Sequence, residues 1–121
     1  MSTSPAGFLA LTQQVSGRLV ELRTNTPDVM KSFGALGRAA LAPGALDAKT
    51  KELIALALGV ASHCDPCIGF HAKALAGLGA TRQEIDEMLG VAVYMGGGPS
   101  LMYAASAIAA FDEFSAGVAA E

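Results

Sequence analysis

"DAKTKELIALALGVASHCDPCIGFHAKALAG", residues 47–77, contains both cysteines and both histidines of the chain and reads as helix, turn, helix. Asp47 can cap a helix over about Ala48 to Ser62. Its first turn is charged (Lys49, Lys51, Glu52), and its remainder, "LIALALGVA", is apolar on every side. A helix with no polar face belongs at the centre of a domain or of an assembly. In "CDPC", Asp65 can cap the next helix with Pro66 at its first position, which puts Cys67 in the first turn and His71 one turn later. That helix closes at "AGLGA", where Gly77 or Gly79 supplies a left-handed cap.

The rest of the chain follows the same grammar. A first helix covers Phe8 to Arg23, with Leu9, Leu11, Val15, Leu19 and Leu22 at helical spacing. In "NTPDVM", Thr26 is placed to cap a second helix with Pro27 at its start, which runs to "APG" at 42–44. "TRQE", residues 81–84, is a capping box that opens a fifth helix through about Tyr94. "GGGPS", residues 96–100, separates it from a last helix, Leu101 to about Phe114. No useful run alternates with period two. The chain is expected to be one all-α domain spanning residues 1–121, a bundle of about six helices. Neither "GLGATR" nor "GGGPSL" has phosphate-loop spacing, so both read as turns.

Composition restricts the function classes. The chain is 52% hydrophobic and only 16% charged, with mean hydropathy +0.44. A domain of this size buries only about two-thirds of its unfolded surface. The apolar excess therefore calls for a membrane or a partner subunit. The longest uncharged region, from Met88 to Phe111, is broken by "GGGPS", and "MSTSPAGFLA" lacks the basic start of a signal peptide. A cytoplasmic, self-associating protein is expected, with apolar faces at 53–61 and 101–111 partly between subunits. The net charge of -3, with scattered cations, offers no footprint for nucleic acid.

The chemistry lies in the cysteine pair. A first-turn Cys67 sits among unpaired backbone N–H groups at the positive end of the helix dipole, and both favour a thiolate. His71, four residues on, shares its helical face, and histidine as a side chain can accept a thiol proton near neutral pH. Cys64 lies across the Asp65-Pro66 turn, at the spacing of a small disulfide ring. Exposure favours Cys64 as the attacking sulfur, whereas helix dipole and histidine favour Cys67; activation is expected to decide for Cys67. A zinc site would draw on Cys64, Cys67, His71 and His63 or Glu52, but structural zinc commonly takes a second Cys/His pair, and none exists here. His63 alone reads as a surface residue at a helix end, and Glu52 as a first-turn carboxylate that complements the dipole.

"LDAKTKELIALALGVASHCDPCIGFHAKALAGLGATRQEIDEML", continuing to "MGGGPSLMYA", resembles the alkyl hydroperoxidase D (AhpD)-like branch of the carboxymuconolactone decarboxylase family, over a core of about residues 30–110. The shared pattern is a glutamate twelve residues before a C-x-x-C, and a histidine four residues after it: Glu52, Cys64, Cys67 and His71. The resemblance implies a helical fold assembled as a trimer or hexamer, with thiol peroxidase and disulfide reductase activity and no bound cofactor. In that scheme His71, linked to Glu52 through water, deprotonates Cys67. The thiolate attacks a hydroperoxide, Cys64 resolves the sulfenic acid, and a dithiol such as dihydrolipoamide restores the pair. One position departs from the pattern: Pro66 stands where well-studied members carry a second histidine, so any proton path is shorter here. Branches without the cysteine pair decarboxylate a lactone, which leaves a lyase acting on a small acid as the alternative, beside a non-enzymatic zinc-binding module.

Overall fold

The computed structural model describes residues 7–120; of the stretch read for a signal peptide, residues 1–6 lie outside it. Six helices follow one another: α1 (Gly7–Asn25), α2 (Pro27–Leu41), α3 (Ala48–Ala61), α4 (Asp65–Gly77), α5 (Arg82–Gly96) and α6 (Gly98–Ala120). No strand occurs among the described residues. The fold is all-α, as expected. "GGGPS" interrupts less than its composition suggests, because only Gly97, with φ of 73°, stands outside a helix. Pro99 falls in the first turn of α6, where its missing N–H would have had no helical partner anyway.

Local chemistry explains most boundaries. The Asp47 carboxylate accepts the Thr50 N–H at 2.7 Å and starts α3. The Thr81 hydroxyl accepts the Glu84 N–H at 3.1 Å, while Glu84 accepts the Thr81 N–H at 2.9 Å, which completes the capping box of α5. Glu84 also meets Lys49 Nζ at 2.7 Å, tying the start of α5 to α3. That contact, with the Thr81 N–H, holds the Glu84 carboxyl below its ordinary range. Thr26, the single residue between α1 and α2, is the N-cap of α2 as expected, its carbonyl accepting the Met30 N–H at 3.1 Å. Its hydroxyl, however, donates to the Leu22 carbonyl at 2.8 Å and so closes α1 instead of capping α2.

α4 is the central helix. It packs against α1, α3 and α6, and it buries Ile68, Gly69, Ala72, Leu75 and Ala76. Opposite it, α6 presents Ala104, Ala107, Ala110, Phe111 and Phe114, all buried. Small side chains on both helices let the backbones approach closely, and the two phenylalanines close the far end. α1 crosses α4 at Gly69, where an added methyl would stand 2.8 Å from Thr12 Cγ2. α5 adds Ile85, Leu89 and Ala92 to the core.

Two surfaces remain unfinished. α3, apolar all round by sequence, buries Leu56 and Val60 but exposes Ile54 and Leu58. α2 touches only α1 and α3 among the described residues, buries no residue, and exposes Val29, Phe33 and Leu36. No described helix is long and apolar enough to cross a membrane. The two faces of α3 should separate cleanly in urea unfolding. Leu56→Ala, at a fully buried position, is expected to cost about 2–5 kcal/mol. Leu58→Ala, 62% exposed in one chain, should stay within about 0.5 kcal/mol once subunits are dissociated. Equal costs would contradict this packing.

Candidate active site

The site is built where α3 stops and α4 begins. His63 donates its backbone N–H to the Val60 carbonyl and Cys64 to the Gly59 carbonyl, each at 3.1 Å. This paired closure requires a left-handed residue one place beyond the cap. At the end of α4 the same closure is made by Gly79, with φ of 76°. Here the left-handed residue is His63, with φ of 55°, the only non-glycine at positive φ among the described residues. A side chain in that conformation costs about 1–2 kcal/mol. The His63 ring lies flat on Tyr103 of α6, centroids 4.7 Å apart and planes 9° from parallel. His63 is exposed just past the end of α3, as expected; its left-handed backbone and its partner on α6 are what the sequence reading missed. The signal was its place one residue past a helix end, where glycine is expected.

Cys64, not Asp65, is the N-cap of α4. Its Sγ accepts the Cys67 N–H at 3.3 Å. Asp65 falls one position inside and is buried. The physical reason is the closure of α3: it hands the chain to Cys64 in an extended conformation, with φ of -111° and ψ of 97°, which is the backbone of a cap. Cys67 occupies the first turn as expected. Cys64 and Cys67 are joined as a disulfide, with their Cα atoms 5.2 Å apart. The exposure expectation reverses. Cys67 is exposed and Cys64 only half-buried, because the cap position tucks Cys64 between the helix ends. Access and the first-turn position thus point to the same sulfur.

Glu52, near the start of α3, meets His71 on α4 directly: Nδ1 to Oε1 is 2.6 Å. The expected bridging water is replaced by this contact, because α3 and α4 pack too closely to need one. An ionised carboxylate can only accept, so against it Nδ1 is the donor, and in a neutral ring that tautomer leaves the lone pair on Nε2. With 13% of the Glu52 side chain and 29% of His71 exposed, the pair is largely shielded from water. Gly59 sets the crossing. A methyl there would stand 3.3 Å from Cys67 Cβ, so the missing side chain is what lets α3 lie against the Cys64–Cys67 turn. Sequence reading passed over Gly59, the sole glycine in α3. Among the described residues, no group of three or more His, Cys, Asp or Glu is arranged to hold a metal ion. The zinc candidates disperse into three pairings: the disulfide, Glu52 with His71, and His63 with Tyr103.

With that geometry in view, residues 27–110 match the pattern of the carboxymuconolactone decarboxylase family. The chain belongs to that family. A solved carboxymuconolactone decarboxylase family protein from Legionella pneumophila, in its apo form, is 56% identical, with a TM-score of 0.88 over 89% of this chain and 96% of that one. A family protein from Thermotoga maritima is 33% identical, with a TM-score of 0.70 over 76% of this chain and 95% of that one. Among curated sequences, an uncharacterized Cupriavidus necator protein is 39% identical over 79% of this chain and 97% of its own length. The match begins at Pro27, so in this member of the family α1 lies outside the matched region although it packs on the central helix.

The crossing at Gly59 can be tested by adding a methyl. Gly59→Ala should cost about 1–3 kcal/mol from overpacking against Cys67. Gly17→Ala on α1, which meets nothing within 4 Å, should be neutral or stabilise by up to about 1 kcal/mol. Chemical denaturation of both variants checks this, and a Gly59→Ala chain as stable as wild type would refute the close approach.

Proposed function

We propose that this chain is a thiol-dependent alkyl hydroperoxidase and disulfide oxidoreductase of the AhpD type, working through the Cys64–Cys67 couple with Glu52 and His71. One observation carries the reading: an exposed first-turn cysteine is disulfide-bonded to its neighbour, and one turn along the same helix stands a histidine oriented by a shielded glutamate. The family includes both decarboxylases and AhpD peroxidases, and the cysteine pair favours the second. An antioxidative role has been suggested for the Thermotoga relative.

The cycle balances as follows. His71, its Nδ1–H held by Glu52, takes the Cys67 thiol proton at Nε2. The thiolate attacks the terminal oxygen of a hydroperoxide ROOH, the O–O bond breaks, Cys67 becomes a sulfenic acid, and the leaving RO⁻ recovers the proton from His71 as ROH. The Cys64 thiol then displaces hydroxide from the sulfenic sulfur, forming the disulfide and water. A dithiol of the dihydrolipoamide class supplies two electrons and two protons by thiol–disulfide exchange, and leaves as its own cyclic disulfide. No bound cofactor takes part. Glu52 stabilises the imidazolium formed in the first step, as a carboxylate behind a catalytic histidine does.

The unfinished faces of α2 and α3 support a homo-oligomer, a trimer or a hexamer. Sedimentation at micromolar concentration should report a species of at least three chains, and a clean monomer would contradict it. For the chemistry, hydroperoxide consumption with dihydrolipoamide should be abolished by Cys67→Ser and reduced about 10²–10⁴-fold by His71→Ala. Glu52→Gln should retain intermediate activity. Equal turnover by wild type and Cys67→Ser would sink the redox reading. A small-acid substrate decarboxylated unchanged by the double cysteine variant would establish the lyase instead.

A further inference from the structure

The loop that delivers Cys64 is held from three sides. α3 holds it through the two backbone hydrogen bonds to Val60 and Gly59. α4 holds it through the Cys67 N–H on Cys64 Sγ. α6 holds it through Tyr103, on which the His63 ring is stacked. The first two restraints would survive any residue at position 63 that tolerates a left-handed backbone, and glycine does so without strain, as Gly79 shows at the end of α4. A histidine there carries the conformational cost of its side chain, so its ring must return something that glycine cannot. The contact its ring makes is the stack on Tyr103.

We propose that the His63–Tyr103 stack is a positioning device for the redox couple: it fixes the α3–α4 loop against α6, keeps the Cys64 sulfur at the Cys67 sulfur after the disulfide is reduced, and so raises the tendency of the pair to close again. The proposal rests on the redox reading of the pair. His63 and Tyr103 act through Cys64 and touch no reacting atom, which makes them positioning residues. Ring closure between two thiols is favoured when little motion remains to be frozen on bonding, the same effect that gives oriented intramolecular reactions their high effective concentrations. Without the stack, the residue before Cys64 is tied to α3 alone, and the dithiol form gains conformations that hold the sulfurs apart. Tyr103 is half-buried and packed against the core, so the ring on which His63 rests is itself fixed.

The measurement is the equilibrium of the full-length protein with glutathione. Protein dithiol plus glutathione disulfide gives protein disulfide plus two glutathione thiols, two electrons and two protons passing to glutathione, and thiol titration after acid quenching reads the ratio. Tyr103→Phe keeps the stacking ring and should match wild type. Tyr103→Leu keeps apolar bulk without a planar face, and His63→Ala removes the other ring; each should lower the effective concentration of the pair about three- to tenfold, the range of an aromatic pair contact. A Tyr103→Leu protein with the wild-type equilibrium overturns the proposal, whatever happens to its thermal stability. Should His63→Ala fail to fold, the Tyr103→Leu and Tyr103→Phe comparison decides alone. Glutathione exchange does not require peroxide chemistry. Loss of the peroxidase reading would therefore leave this result standing, whereas a wild-type pair that never closes at any glutathione ratio overturns both.

Discussion

The close crossing of α3 over the start of α4, at Gly59 and Cys67, is the constraint on which the site depends. A glycine lets the backbone of α3 come within contact distance of the Cys64–Cys67 turn. The same approach brings Glu52 at one end of α3 against His71 on α4, and it leaves Cys64 as the hinge between them. Separate the helices by one methyl thickness and the carboxylate loses its direct hold on the imidazole. The Glu52–His71 contact and the Cys64–Cys67 turn are thus coupled through packing.

Around this crossing the domain spends its apolar residues unevenly. α4 is enclosed by α1, α3 and α6, and its small residues facing the alanines of α6 make a dense centre. α2 and one side of α3 leave valine, leucine, isoleucine and phenylalanine uncovered. Such a surface is costly in water, which is the physical basis for reading the chain as one part of an assembly. The Cys64–Cys67 turn is held by the enclosed part of the fold, so its geometry does not wait on those outer faces. The left-handed histidine at the same turn is a local conformational cost carried beside the cysteine pair.

By itself the sequence determined the helical class, the six segments, and the residues that could carry chemistry. Helical spacing of apolar side chains, the Asp47 cap, the Thr81–Glu84 box and the glycine past α4 are local signals, and local hydrogen bonding obeyed them. The positions of Cys67 and His71 on one face followed from helix periodicity alone. Tertiary structure decided what periodicity cannot encode: that Thr26 would close α1, that Cys64 would displace Asp65 as the cap, that Glu52 would touch His71 without a water, and that Cys67 would be the more exposed sulfur. Each of these depends on how two helices meet, through contacts between residues distant in the chain or backbone handed from one helix end to the next. The stack of His63 on Tyr103 joins residues forty positions apart, and only the packing of α6 beside the α3–α4 turn could bring it about.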